Sequence, residues 1–122
     1  MKRKAAAVAT GIVLAGSLLA TGTAPAAAET RAATDCPSGW FCVWSGQNYT
    51  GRMQKVEGPN DNLTGFPVFQ NFKSWYNRGK SCDFKWFSLR NGQGDSNVVP
   101  RGVKKTDNAS HYIESNRWVN CR

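Results

Sequence analysis

Histidine is almost absent from this chain: His111 stands alone among 122 residues. One histidine rules out a multi-histidine metal site within a single copy, and a serine triad would have to use it. No Gly-x-Ser-x-Gly elbow accompanies it, and neither a phosphate-cradling loop nor a dinucleotide fingerprint is present. Acids are also few, eight against sixteen lysines and arginines. Glycoside hydrolysis needs two carboxylates across a bond. Glu29 and Asp35, however, lie in an N-terminal polar stretch, and Asp61, Asp95 and Asp107 sit in turn-forming sequence. The expectation is a protein that is not an enzyme and carries neither metal nor organic cofactor. Long apolar runs are missing beyond the first twenty residues, so no membrane span is expected.

The first residues are of a different kind. Met-Lys-Arg-Lys precedes an alanine-, valine- and leucine-rich run from Ala5 to about Ala20, followed by Thr-Gly-Thr-Ala-Pro-Ala-Ala-Ala. A basic start, an apolar middle and a small-residue exit make a secretory signal peptide, residues 1–28, cut after Ala28. Lys2, Arg3 and Lys4 leave with it, so the formal charge falls from +8 to +5. The remaining bases are scattered, with Lys104-Lys105 the single adjacent pair beyond the signal, which suits a solvated basic surface rather than a nucleic-acid stripe. Residues 29–35 read as a mobile polar tail. Residues 36–122 are expected to be one secreted, extracellular domain, working as a monomer.

All four cysteines, Cys36, Cys42, Cys82 and Cys121, lie in that domain. An even count in a small exported chain indicates two disulfides, with three connectivities open. The expected pairing is Cys36–Cys42 with Cys82–Cys121, since Pro37 and Gly39 let the first loop turn tightly. Chain entropy gives about 2 kcal/mol for the small loop and about 4 for the large one. A four-cysteine zinc site is the competing reading, but no Cys-x2-Cys pair exists.

The domain hangs from the stretch Cys36 to Gly51. An aromatic run, Trp40 to Trp44, is apolar on both alternating sets and reads as a strand covered on both faces. It closes on a corner, Trp44-x4-Tyr49-x-Gly51, and a weaker copy recurs as Phe87-x4-Gly92-x-Gly94. A second signal also repeats: Asn71-Phe-Lys-Ser-Trp-Tyr76 aligns with Asp107-Asn-Ala-Ser-His-Tyr112, pairing Ser74 with Ser110. Val68 to Arg78 reads as a short turn feeding a strand, and Cys82 to Leu89 as a clear strand. Gly92 to Ser96 reads as a turn, Val98 to Pro100 as short and extended, and Ser110–Ile113 and Arg117–Cys121 as the last strands. Short strands with Gly/Asn/Asp punctuation imply an all-β sandwich or Greek key. The expected core is aromatic: Trp44, Tyr49, Phe72, Trp75, Trp86, Phe87, Tyr112 and Trp118.

Corner plus hydroxyl, twice, resembles the βγ-crystallin fold, a double Greek-key sandwich in a single domain. More narrowly, Cys-Pro-Ser-Gly-Trp-Phe-Cys-Val-Trp with Asn48-Tyr49-Thr50-Gly51, behind an alanine-rich signal of bacterial type, resembles the Streptomyces metalloproteinase inhibitor family, peptidase inhibitor family number thirty-six. The resemblance covers about residues 36–121. It implies a rigid secreted inhibitor whose partner is a thermolysin-like zinc endopeptidase. Such enzymes favour a large apolar residue just after the scissile bond. Asn62–Leu63 and Gly65–Phe66 offer that in a loop rich in turn formers, with Asn97–Val98 as a third option. Leu63 and Phe66 would equally serve to plug the core edge. Calcium-binding crystallin relatives use acid, amide and hydroxyl oxygens. Both matching runs here lack the first acid or amide and the last serine, and Lys73 enters the first. No tight calcium is expected, and Asn71, Ser74, Asp107 and Ser110 read as turn residues. The alternative is a non-inhibitory cationic module of the same fold, acting on cell envelopes or as an antimicrobial or stress factor.

Overall fold

The computed structural model describes residues 32–122, so the expected signal peptide lies outside the described residues. Seven strands follow in order: β1 (Phe41–Trp44), β2 (Met53–Val56), β3 (Phe72–Asn77), β4 (Asp83–Leu89), β5 (Gln93–Val99), β6 (Lys104–His111) and β7 (Ser115–Val119). They form two antiparallel sheets, β2-β1-β3-β6 and β5-β4-β7.

The topology is a double Greek key with an exchange. β1 and β2 make a hairpin, the chain leaves across residues 57–71, and β3 returns on the other side of β1. While away, that crossing segment touches the second sheet through the Asn60–Asn116 bridge. β4 and β5 repeat the hairpin, β6 crosses to the first sheet beside β3, and β7 returns beside β4. Each half thus lends its third segment to the other sheet, which ties the two halves into one sandwich. The expected all-β, crystallin-like class is what the molecule has.

Alternation along β1 explains the core. Phe41 and Val43 face the second sheet, and Phe41 stacks on Phe84 of β4 with centroids 3.6 Å apart. Cys42 and Trp44 face the other way, under a second cluster of Cys36, Trp40, Tyr49, Met53 and Tyr76. Every residue of β1 is therefore buried, as its doubly apolar pattern requires. The disulfides join Cys36 to Cys42 and Cys82 to Cys121. The first holds the outer cluster closed, and the second ties the last residues to the start of β4.

Three readings need correction. Tyr112, expected in the core, is 52% exposed, because β6 has ended and its ring falls outside the sandwich. Gly92 to Ser96 is not simply a turn: β5 already begins at Gln93. The strand placed at Ser110–Ile113 instead runs from Lys104 to His111. Both strands are sheet edges and mostly exposed, so they lack the apolar alternation by which a strand is read. Ala33–Asp35, within the polar tail, forms a short 3-10 turn with Ala33 buried. Among the described residues, no helix is long and apolar enough to cross a membrane.

Candidate functional site

The two corners are superposable in chemistry, 43 positions apart. In the first, Ser45 Oγ accepts the Arg52 N–H at 2.9 Å, Asn48 has φ 55° and Gly51 has φ 79°. In the second, Ser88 Oγ accepts the Asp95 N–H at 2.8 Å, Asn91 has φ 59° and Gly94 has φ 79°. Glycine is required at both ends, since a Cβ on Gly51 or Gly94 would overlap the serine hydroxyl and the φ disfavours L side chains.

A buried serine folds over each corner from the returning strand. Ser74 Oγ accepts the Tyr49 N–H at 3.0 Å and donates to the Gly46 carbonyl at 2.7 Å. Ser115 Oγ accepts the Gly92 N–H at 2.9 Å and donates to the Leu89 carbonyl at 2.7 Å. The partner of Ser74 is therefore Ser115 and not Ser110, which is exposed on β6. Position in the Greek key decides this: β3 and β7 return beside the corners, whereas β6 has crossed to the other sheet. Asn71 is exposed, and Asp107 accepts from His111 Nε2 at 2.9 Å and from the Ala109 N–H, which holds its carboxyl below the usual range.

The side chains of the corners differ. Tyr49 covers Trp44 edge-on, with centroids 5.1 Å apart, and this burial raises the pKa of its hydroxyl. At the matching place Gly92 leaves Phe87 half-buried beneath Lys85, whose amine lies 5.4 Å from the ring centroid. One step after the serine, the first corner has Gly46 and the second has Leu89, with 51% of its surface exposed. Leu89 is extended, at φ −126° and ψ 165°. Its corner is braced again by the Asn91 N–H on the Asp61 carbonyl and by the Arg117–Asp61 ion pair.

The sequence compares well with one family of proteins. The profile of peptidase inhibitor family I36 matches residues 29–99, more than half the chain and both corners. The chain belongs to peptidase inhibitor family I36. It is also 32% identical over 81 residues to an uncharacterized gerABC family protein of Dictyostelium discoideum, covering 62% of this chain and 74% of that one.

For a family I36 peptidase inhibitor, the presented surface matters more than any catalytic group. The loop first suggested by sequence does not offer what was expected of it. Leu63 is fully buried, its N–H bound to the Glu114 carbonyl at 2.8 Å, and Phe66 packs edge-on against Phe69. Both plug the core edge; Asn62 and Gly65 remain exposed around them. Asn97 is exposed on β5, with Val98 half-buried beside it. Leu89 and Ser115 were missed. The signal for both corners was present as Ser45-x2-Asn48-x2-Gly51 and Ser88-x2-Asn91-x2-Gly94. The exposure of Leu89 follows from the break in β4–β5 register between Phe87 and Leu89. Among the described residues, no group of three or more His, Cys, Asp or Glu could hold a metal ion.

Proposed function

We propose that the protein is exported and inhibits zinc endopeptidases of the thermolysin type, by presenting its second corner with Ser88–Leu89 at the cleavage position. One observation carries this reading: a large apolar side chain, Leu89, stands exposed and extended at the end of β4, where the chain enters a corner that hydrogen bonds hold on both sides. Leu89 fills the pocket that takes the residue after the scissile bond. The brace then opposes turnover. Hydrolysis would leave a carboxylate on Ser88 and an amine on Leu89, but both residues stay tied, Ser88 to Asp95 and Leu89 to Ser115. Ends that cannot separate leave slowly, and a loop already in its bound shape loses little entropy on docking. Export is supported by the basic–apolar–small N-terminus, by two disulfides, and by a family match that starts at residue 29.

Titrating a thermolysin-type endopeptidase with the purified protein tests this directly. Stoichiometric inhibition is expected, and Leu89→Asp should weaken it by about a hundredfold or more. The same substitution should change folding stability by no more than about 1 kcal/mol, since half of the side chain is open to solvent and the rest lies over Gly94. Absence of inhibition by the parent protein, or undiminished inhibition by Leu89→Asp, would discard the reading.

A specific observation favours the envelope-binding alternative as a second reading. Pairing places Lys55, Cys42, Tyr76 and Lys104 in one row across the outer face of the first sheet. Lys55 lies over Trp40 at 5.1 Å, Lys104 over Tyr76 at 5.6 Å, and Arg78 near the same ring at 6.0 Å. Cations that look scattered in sequence are thus gathered on one aromatic face. Salt-sensitive retention on anionic wall polymer by a protein that inhibits no zinc endopeptidase would select this reading.

A further inference from the structure

A cleft of about 410 Å³ opens where the edge strands of the two sheets meet, β5 on one side and β6 on the other. Its depth is aromatic: Phe41 and Phe72 lie at the bottom, 1% and 4% exposed, with half-buried Trp75 from the first sheet and Trp86 from the second. Val99 and Ile113 complete the apolar wall, the turn joining the strands adds Pro100 and Val103, and the exposed Tyr112 also lines the cleft. The volume falls within the range of small-molecule sites, and apolar walls with a few polar groups are their usual make-up.

Four polar side chains line it, Lys105, Asn97, His111 and Tyr112, one lysine among them. Lys105 sits directly opposite Trp75 on the inward-facing side of β6, and Asn97 sits opposite Trp86. His111 also lines the cleft, edge-on to Trp75 at 5.1 Å, with its Nε2 on Asp107. No carboxylate lines the cleft. Among the described residues the exposed Lys105 amine makes no ion pair and no hydrogen bond, and unlike the amines of Lys55, Lys85 and Lys104 it lies over no aromatic ring. An inward lysine on an edge strand also hinders strand pairing between copies. That role accounts for the charge but not for the indole-walled space beside it.

We infer that this cleft is a binding site for a small aromatic carboxylate, its ring between Trp75 and Trp86 and its carboxylate on the Lys105 amine. The ring buries apolar surface against the two indoles, which drives entry whatever the ligand's charge. The lysine then supplies selection, since a charge-assisted hydrogen bond at the edge of an apolar site is stronger than a neutral one. The site stands apart from the Leu89 corner and does not depend on the inhibitor reading.

The test is titration of the purified protein with 2-naphthoate, 2-naphthylmethanol and 2-naphthylmethylamine, followed by calorimetry and by the indole N–H resonances. Saturable binding of the carboxylate is expected, about tenfold tighter than the neutral alcohol, with the amine weakest. The shifts should centre on two of the five tryptophans, Trp75 and Trp86. Lys105→Gln should erase the tenfold preference and keep alcohol binding. Asn97→Trp, on the inward side of β5 opposite Trp86, should fill the space and abolish both while the unfolding midpoint holds. Failure of the carboxylate to saturate below millimolar concentration overturns the inference. So does equal binding of all three ligands by the parent protein, or a preference that survives Lys105→Gln.

Discussion

The two corners of the molecule share a backbone and have exchanged their bulk. The first places nothing at Gly46 and a ring at Tyr49, which turns inward onto Trp44; the second places a side chain at Leu89, which turns outward, and nothing at Gly92. In the first corner the bulky residue pays for a positive φ of 61° with burial, whereas in the second glycine takes φ 68° at little cost. The same scaffold is therefore a structural plug at one end and carries an exposed apolar side chain at the other. Duplication supplies the hinge chemistry twice, and one copy suffices to close the core.

The sharpest way to break that contrast is to remove the aromatic at the root of each corner. Trp44 is fully buried, so Trp44→Ala should cost about 3–5 kcal/mol in urea unfolding. Phe87 is half-buried and uncovered by any ring at position 92, so Phe87→Ala should cost about 1–2 kcal/mol. Equal losses would mean that the second corner is as structural as the first.

Next in size are the two serines, for which the corners should behave alike. Ser74 and Ser115 are fully buried, and each binds a corner N–H and a corner carbonyl. Alanine at either place strands both groups and should cost about 1–3 kcal/mol. Only Ser115→Ala should also turn a tight inhibitor into a cleavable substrate, because it alone frees the Leu89 carbonyl. Ser110→Ala, on the exposed face of β6, should change neither quantity.

Much of this organisation is legible in the residues, and the rest is hidden for identifiable reasons. The doubly apolar Trp40–Trp44 run, the aromatic β4 and the 43-residue recurrence of the corner lead directly to the sandwich. The local closure of Cys36 on Cys42 leaves Cys82 and Cys121 to each other. Strands β5 and β6 are hidden because edge strands need only one partner and one dry face, so Gln93–Ser96 and Lys104–Ser110 carry turn-like composition into a ladder. Ser115 is hidden because Ser110 stands in the better local motif, and only the crossing of β6 shows which serine returns to the corner. Leu63 looks like loop and is core because the Glu114 carbonyl draws its backbone inward.

A smaller effect tests the backbone alone. A Cβ on Gly92 would lie 3.8 Å from Phe87 Cζ, an ordinary contact, so space does not forbid alanine there. The positive φ does carry a cost, and Gly92→Ala should lose about 1 kcal/mol by urea titration. A larger loss would show that the second corner is packed more tightly than its open surface suggests.

The smallest contrast is in acid. The two aspartates whose carboxyls are held below the ordinary range, Asp83 and Asp107, both belong to the second half of the chain. Asp83 accepts the Arg101 N–H at 2.9 Å, the chief cause, and the Asn120 amide at 3.1 Å beside the Cys82–Cys121 bridge. A folded pKa below the unfolded value of about 3.9 contributes stability that is fully present above that value. It is lost as pH falls through the folded pKa. Asp83 stands on β4 of the second sheet and Asp107 on β6 at the edge of the first. Acid should therefore loosen these two strands before the β1–β2 hairpin, which carries no carboxylate, and hydrogen exchange read between pH 5 and pH 2 will rank them. Asp83→Asn should flatten the acid slope of the unfolding midpoint. If the β1–β2 hairpin loses protection before β4, or the slope is unchanged, the two bonds to Asp83 do not anchor the end of the chain as their geometry indicates.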